Sequence, residues 1–347
     1  MKIRAITVCA APACGRKVFS RSIACVTTHQ SDHVPRLKLA GAGRAASAHL
    51  VLAKSLFQAG HFDPARREID AALQENPELA VGHLLKGLVL ARQACFDEAQ
   101  RALRAAVDLD SQHAGAWLAL AHVASERGDR NEALAAVERA LALDRTLSAA
   151  QLLRADLLLA LGRSAEARNA FQAVVCADPL SSYARYRLAR LLLDEGQTDA
   201  ALEQCLMAQR LSPVNANYRI ALGDTLRRLG RHADALCEYN LAVELAASNG
   251  QALAYSRIGD VHLDQGHQRE AILAYTTALR LNPKLVEACL ALARVHARAG
   301  RKEEALAMAR AALEADSRAA DAAAMVESLS SEGAAARSPP ELPQRSS

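Results

Sequence analysis

The chain repeats itself every 34 residues, and no other feature limits its fold as much. Aligned on the Pro that closes AILAYTTALRLNP at 271–283, the copies run over 46–79, 80–113, 114–147, 148–181, 182–215, 216–251, 252–285 and 286–319. Only 216–251 departs in length, by two residues, which read as a loop insertion at Ser248, Asn249 and Gly250. In 114–147 the first half places Trp117, Leu120, Ala121 and Ala124 at helical spacing and stops at Gly128. The second half places Ala133, Val137 and Ala140 at i, i+4, i+7 and stops at Asp144. Two helices of ~14 residues, each ~21 Å long, joined where a left-handed residue costs Gly nothing, form a helical hairpin.

The small residues show why the hairpins close tightly. The eighth position of the copies reads Ala53, Gly87, Ala121, Ala155, Ala189, Gly223, Gly259 and Ala293. The twentieth is Ala in all eight, from Ala65 to Ala305. Small side chains at both places let the helix axes approach, and bulkier residues at position 24, such as Ile69, Phe171, Tyr239 and Tyr275, fill the flanking holes. Composition agrees: hydrophobic residues make up 51% but aromatics only 3%, so the apolar share is largely Ala and Leu, which favour helix over sheet.

This pattern resembles the tetratricopeptide repeat (TPR) in its 34-residue period, the place of Trp117, the paired small residues, and the closing prolines Pro77, Pro179, Pro213 and Pro283. The resemblance covers 46–319. It implies an all-α fold, a right-handed α-solenoid of TPR helix-turn-helix hairpins. Pentatricopeptide RNA binders share the hairpin plan, but the length of the period and the near-neutral repeats count against them: 46–319 holds 32 Lys/Arg against 33 Asp/Glu. No nucleic acid partner is expected. No run approaches the ~18–20 apolar residues of a membrane-spanning helix, so no transmembrane segment is expected either.

After the repeats, Ala322, Met325, Val326 and Leu329 recur at helical spacing, predicting a capping helix over 320–331 and a Pro/Ser-rich disordered tail over 332–347. The basic leader 1–45 carries eight Lys/Arg against one acid. Lys2 and Arg4 precede ITVCAAPA and Cys14, so the leader reads as an export signal, an organelle transit peptide, or a disordered or mis-assigned start. The expected location is the cytoplasm, or the periplasm, envelope or an organelle if the leader is a working targeting segment. The eight cysteines form no CxxC, and Cys95, Cys176, Cys205, Cys237 and Cys289 lie singly in helical stretches, where they read as small core residues in a reducing compartment.

Nothing in the repeats points to catalysis. His262 and His296 share a position in adjacent copies with His267 nearby, yet no close third ligand accompanies them. No Gly-rich phosphate loop and no Ser, His and acid arrangement is present. The chain reads as no enzyme, with no cofactor and no metal.

What remains is a surface. The resemblance implies that positions 2, 5, 6, 9, 12 and 13 of each first helix line a concave groove. In the N-terminal half, positions 5 and 6 are Leu50 and Val51, Leu84 and Leu85, Leu118 and Ala119, and Leu152 and Leu153. They form an apolar floor for an amphipathic helix or apolar peptide, unless position 5 packs against the neighbouring hairpin. In the C-terminal half the same positions carry Tyr183, Tyr186, Arg187, Arg190, Arg227, Arg228, Arg257, Arg294 and Arg298 with Asp194, Asp224, Asp260 and Asp264. These bind an acidic peptide or pair with one another across repeats. The Lys/Asn set that clamps chaperone C-termini in some TPR domains is absent from consecutive copies, as is the Asn ladder of the TPR glycosylating enzyme. The reading is a non-enzymatic scaffold that binds a peptide or helix of partner proteins in complex assembly. The alternatives are an exported assembly factor for a bacterial envelope machine such as a pilus, secretion or polysaccharide system, and a regulatory subunit of an enzyme.

Overall fold

A computed structural model describes residues 43–335 as seventeen α-helices. They fall into two compact units that divide between Val174 and Val175. The first unit holds α1 (Arg44–Gln58), α2 (Phe62–Glu75), α3 (Ala80–Arg92), α4 (Phe96–Leu109), α5 (Ala114–Arg127), α6 (Arg130–Leu143) and α7 (Ser148–Ala160), and ends within α8 (Ser164–Ala177). The second holds α9 (Ser182–Asp194), α10 (Thr198–Leu211), α11 (Ala216–Arg228), α12 (His232–Leu245), α13 (Ser248–Asp264), α14 (Gln268–Leu281), α15 (Val286–Arg298), α16 (Lys302–Ala315) and α17 (Ala320–Ala335). Within each unit the odd and even helices pair as hairpins, each even helix packs on the next odd one, and successive odd helices also touch. The fold is an all-α solenoid, with the odd helices forming a continuous row inside each unit.

The hairpin turn follows from backbone chemistry. At the end of α5, Gly128 turns left-handed at φ 90°. Its N–H donates to Ser125 O at 3.0 Å while the Asp129 N–H donates to Ala124 O at 2.9 Å, which satisfies two carbonyls the helix would otherwise leave bare. The same place in copy 80–113 is Ala94, held at φ 61°, where a side chain costs ~1–2 kcal/mol that Gly would not.

Two further devices set the connection between hairpins. Asn76, Asp110, Asp144, Asp178, Asn282 and Asp316 each accept from the backbone N–H two residues on, at 2.8–3.1 Å. These Asx turns stop one hairpin and start the next. In five successive copies the residue at position 4 then reaches back to a carbonyl six residues earlier: His83 to Pro77, Trp117 to Ser111, Gln151 to Arg145, Arg185 to Pro179 and Arg219 to Pro213. Trp117 therefore spends its indole N–H on the loop that precedes it, at 2.9 Å.

The small residues at positions 8 and 20 are all buried. All eight alanines at position 20 are fully buried, as are Ile69, Leu103, Val137, Phe171, Tyr239 and Tyr275 at position 24. Where position 24 is Tyr239 or Tyr275, position 8 is Gly, because a Cβ on Gly223 or Gly259 would stand 2.6 or 2.7 Å from the ring.

Three expectations change. The two extra residues near Asn249 do not lengthen a loop. They extend α13 to 17 residues and form its first turn. The closing helix does not stop at residue 331 but continues to Ala335; Ala322 and Leu329 are buried as expected. Of the five described cysteines only Cys205 and Cys289 are buried, while Cys176 and Cys237 are exposed on even helices. The leader up to residue 42 and the tail beyond 335 lie outside the described residues.

Candidate functional site

In the second unit the row of odd helices presents a connected set of charges, and its geometry begins with two tyrosines. Tyr239 on α12 packs its ring against Gly223 and donates its hydroxyl to Asp224 Oδ1 at 2.7 Å. One copy later, Tyr275 on α14 does the same with Gly259 and Asp260, again at 2.7 Å. Burial and the adjacent carboxylate hold both hydroxyls protonated well beyond the ordinary tyrosine range, so each remains a donor. The pair of tyrosines thereby fixes two carboxylates on the odd-helix face.

Those carboxylates organise the arginines. Arg257 lies between Asp224 at 3.3 Å, Asp260 at 3.3 Å and Glu287 at 3.0 Å. Arg227 reaches Asp264 at 3.1 Å and Asp260 at 3.9 Å. Burial pushes the Asp224 carboxyl above its usual range, against the pull of Arg257 and the Tyr239 hydroxyl. Arg227, Asp224, Arg257 and Asp260 are about three-quarters buried, so removing one of them strands the others where water solvates them poorly, whereas Asp264 and Glu287 are more exposed. Alternating charges on α11, α13 and α15 thus form a fixed ladder.

An aromatic strip adjoins the ladder. The Tyr186 and Tyr218 rings pack at a 35° tilt with centroids 5.0 Å apart, and Arg190 donates to the Tyr186 hydroxyl at 3.2 Å. Arg187 lies over the Tyr183 ring and donates to its hydroxyl at 3.0 Å. Between α9 and α11, beside Arg257, a cavity of about 190 Å³ opens. Arg190, Asp194, Asp224, Arg227, Arg228 and Arg257 line it. In the copy numbering these are positions 6, 9, 12 and 13, all of them groove positions.

The predicted groove residues separate accordingly. Tyr186, Arg190, Arg227 and Arg257 gather around this cavity, with Arg187 alongside. Arg294 is engaged elsewhere, donating to Asp321 on α17 at 3.0 Å. The apolar floor of the first unit is not continuous. Leu50, Leu118 and Leu153 are only 1%, 1% and 4% exposed and belong to the core; Leu50, for example, packs with Ala46, Ala72, Leu79 and Leu85. Close approach of neighbouring hairpins draws them in. Leu84, Leu85 and Leu152 are half-buried. His122, at position 9 of its copy, is buried with its Nε2 unpartnered, and burial lowers its pKa to about 4.

Sequence reasoning missed the tyrosine–aspartate pairs. Their signal is Gly-Asp at positions 8 and 9 with Tyr at 24, present in two consecutive copies and in no other. It also missed Glu287 and Asp321 as ion-pair partners. Among the described residues no helix is long and apolar enough to cross a membrane, and no three metal-ligating side chains converge.

An all-α solenoid with a surface of this kind defines the class of helical-repeat scaffolds. A tetratricopeptide repeat family model matches residues 50–94, 84–148, 118–181, 152–216 and 256–324, and a second matches 216–236. The chain belongs to the tetratricopeptide repeat family, and it is a protein-interaction scaffold. No curated protein gives a significant match. Among solved structures, a tetratricopeptide repeat protein from Parabacteroides merdae is 13% identical with a TM-score of 0.57, over 83% of this chain and 100% of that one. Cut9–Hcn1, an APC/C hetero-tetramer, gives 16% identity and a TM-score of 0.58, over 89% of this chain and 62% of that one. PilW, a widely conserved type IV pilus biogenesis factor, gives 20% and 0.52, over 57% of this chain and 92% of that one. At these identities the likeness is one of fold.

Proposed function

We propose that the chain is a non-enzymatic scaffold that holds a peptide segment of a partner protein against the odd-helix face of its second unit, in support of complex assembly. The observation that carries this reading is the cavity between α9 and α11, whose charged lining falls on groove positions and includes Asp224, held by the Tyr239 hydroxyl. A surface organised in advance loses little entropy on binding. The half-buried Leu84, Leu85 and Leu152 offer the first unit as a lesser, apolar contact. We place the protein in the cytoplasm, on the support of cysteines that lie singly along the repeats with no CxxC among them.

The test is photo-crosslinking. A crosslinking residue in place of Arg187, on the odd-helix row, should capture a partner. One in place of Leu273, 67% exposed on α14, should not. Capture from position 273 and none from 187 would overturn the reading.

A further inference from the structure

The two ends of the repeat row are finished differently. At the C-terminal end, α17 buries Ala322 and Leu329 and turns the exposed Asp321 and Glu327 outward. At the N-terminal end, α1 leaves uncovered a face that the later copies hide. Position 3 is buried in all seven later copies, yet Ala48 is exposed. Position 7 is at most 8% exposed wherever a later copy has Leu or Ile, yet Leu52 is 47% exposed. Position 10 is at most 4% exposed in the later copies, whereas Ser55 is exposed. Ala48, Leu52 and Ser55 stand at i, i+4, i+7 and so share one side of α1.

The next copy shows what belongs there. α2 covers the equivalent face of α3: a Cβ on Gly82 would stand 2.8 Å from Leu73 Cδ2, and Val89 packs with Ala65 and Ile69. The covering helix thus presents Ala65, Ile69 and Leu73 at i, i+4, i+8 along one stripe. Among the described residues, no helix precedes α1 to do the same. Stacked repeats need their end faces closed to stay soluble.

The leader is joined to the bare face through Gly43, the N-cap of α1. Within it Phe19, Ile23 and Val26 place three large apolar residues at i, i+4, i+7, in a stretch bounded by Gly15 and Pro35 with no Gly or Pro between them. Lys17 and Arg21 fall on the side opposite that stripe, which suits a helix with one face in water. Residues 28–42 can span up to ~50 Å and α1 is only ~22 Å long, so the stripe can reach the whole face. A separate partner fits less well. A strip ~22 Å by ~10 Å offers ~200 Å², far below the ~800 Å² that each member of a stable complex buries, whereas a tethered segment acts at a millimolar effective concentration.

We propose that residues 16–27 of the leader dock on the Ala48, Leu52 and Ser55 face of α1 as its missing even helix, a cap supplied by the chain itself. Phe19, Ile23 and Val26 fill the space beside the small Ala48 and Ser55, as Leu73 of α2 fills the space beside Gly82.

Hydrogen exchange of the full chain, resolved by mass spectrometry, is the test. Amides of residues 17–27 and of α1 should both be protected. Phe19→Asp/Ile23→Asp should abolish the first and speed exchange in α1 by about tenfold, with α4 to α6 unchanged. Leu52→Asp, at a side chain already half exposed, should release the leader in the same way. Lys17→Gln/Arg21→Gln should change neither. Exchange of residues 17–27 at the rate of a free peptide in the wild type would overturn the proposal, as would α1 protection that survives Phe19→Asp/Ile23→Asp. Protection of α1 that rises with protein concentration, with a doubled mass in light scattering, would give the face to a second copy and overturn it. So would recovery from cells of a chain that begins beyond Val26.

Discussion

As pH falls from 6.5 to about 4, His122 alone should cost the fold about 3 kcal/mol. The sign follows from burial. In the unfolded chain the imidazole takes up a proton near pH 6.5, whereas in the core it resists protonation down to about pH 4. Through that window the unfolded state binds more protons, so stability is full above pH 6.5, declines on acidification, and levels off below pH 4. Other groups titrate over the same range, so the informative quantity is a difference. Denaturant midpoints for wild type and His122→Leu, measured from pH 7 to 4, should diverge steadily, with wild type losing more. Parallel profiles would mean that His122 is solvated. At neutral pH the buried imidazole is uncharged, so the first unit's odd-helix face gains no positive charge from it.

Gly223→Ala should destabilise the chain by about 1–2 kcal/mol, although the same exchange usually favours a helix. The new Cβ would lie 2.6 Å from Tyr239 Cε1, and the ring cannot retreat easily because its hydroxyl is tied to Asp224. Copy 148–181 shows the arrangement that tolerates Ala at this position: Ala155 at position 8 occurs with Phe171 at position 24, an equally buried ring without a hydroxyl. In a Tyr239→Phe background, Gly223→Ala should therefore cost at least ~1 kcal/mol less, a coupling read from a double-mutant cycle in chemical denaturation. Strict additivity would show that the tether to Asp224 does not hold the ring. Loss of the tether should also loosen Arg257, since Asp224 is one of its three carboxylates.

The period, the hairpins and the small residues at positions 8 and 20 were legible because each reflects contacts within one copy. The fate of the leucines was not. Leu84 and Leu118 occupy the same position, yet one is half-buried and the other is core, because burial there depends on how neighbouring copies close around them. The arginines divide for a similar reason. Arg227 finds Asp264, Arg257 finds Glu287 and Arg294 finds Asp321, at separations of 27–37 residues that bring adjacent copies together. Their engagement could have been anticipated by scanning the offsets near one repeat length for opposite charges. The insertion near Asn249 misled because Ser-Asn-Gly reads as a turn, whereas here the three residues open α13 and follow Ala247 in extended backbone.

The central claim is that the odd-helix face of the second unit, not its even-helix face, receives the partner. Hydroxyl-radical footprinting of the chain with a bound partner segment tests it most directly, because both faces carry oxidisable side chains. Tyr183 and Tyr186 on α9 should lose reactivity on binding, while Leu206 on α10 and Leu273 on α14 keep theirs. Protection of Leu206 and Leu273 with Tyr183 and Tyr186 unchanged would contradict the account.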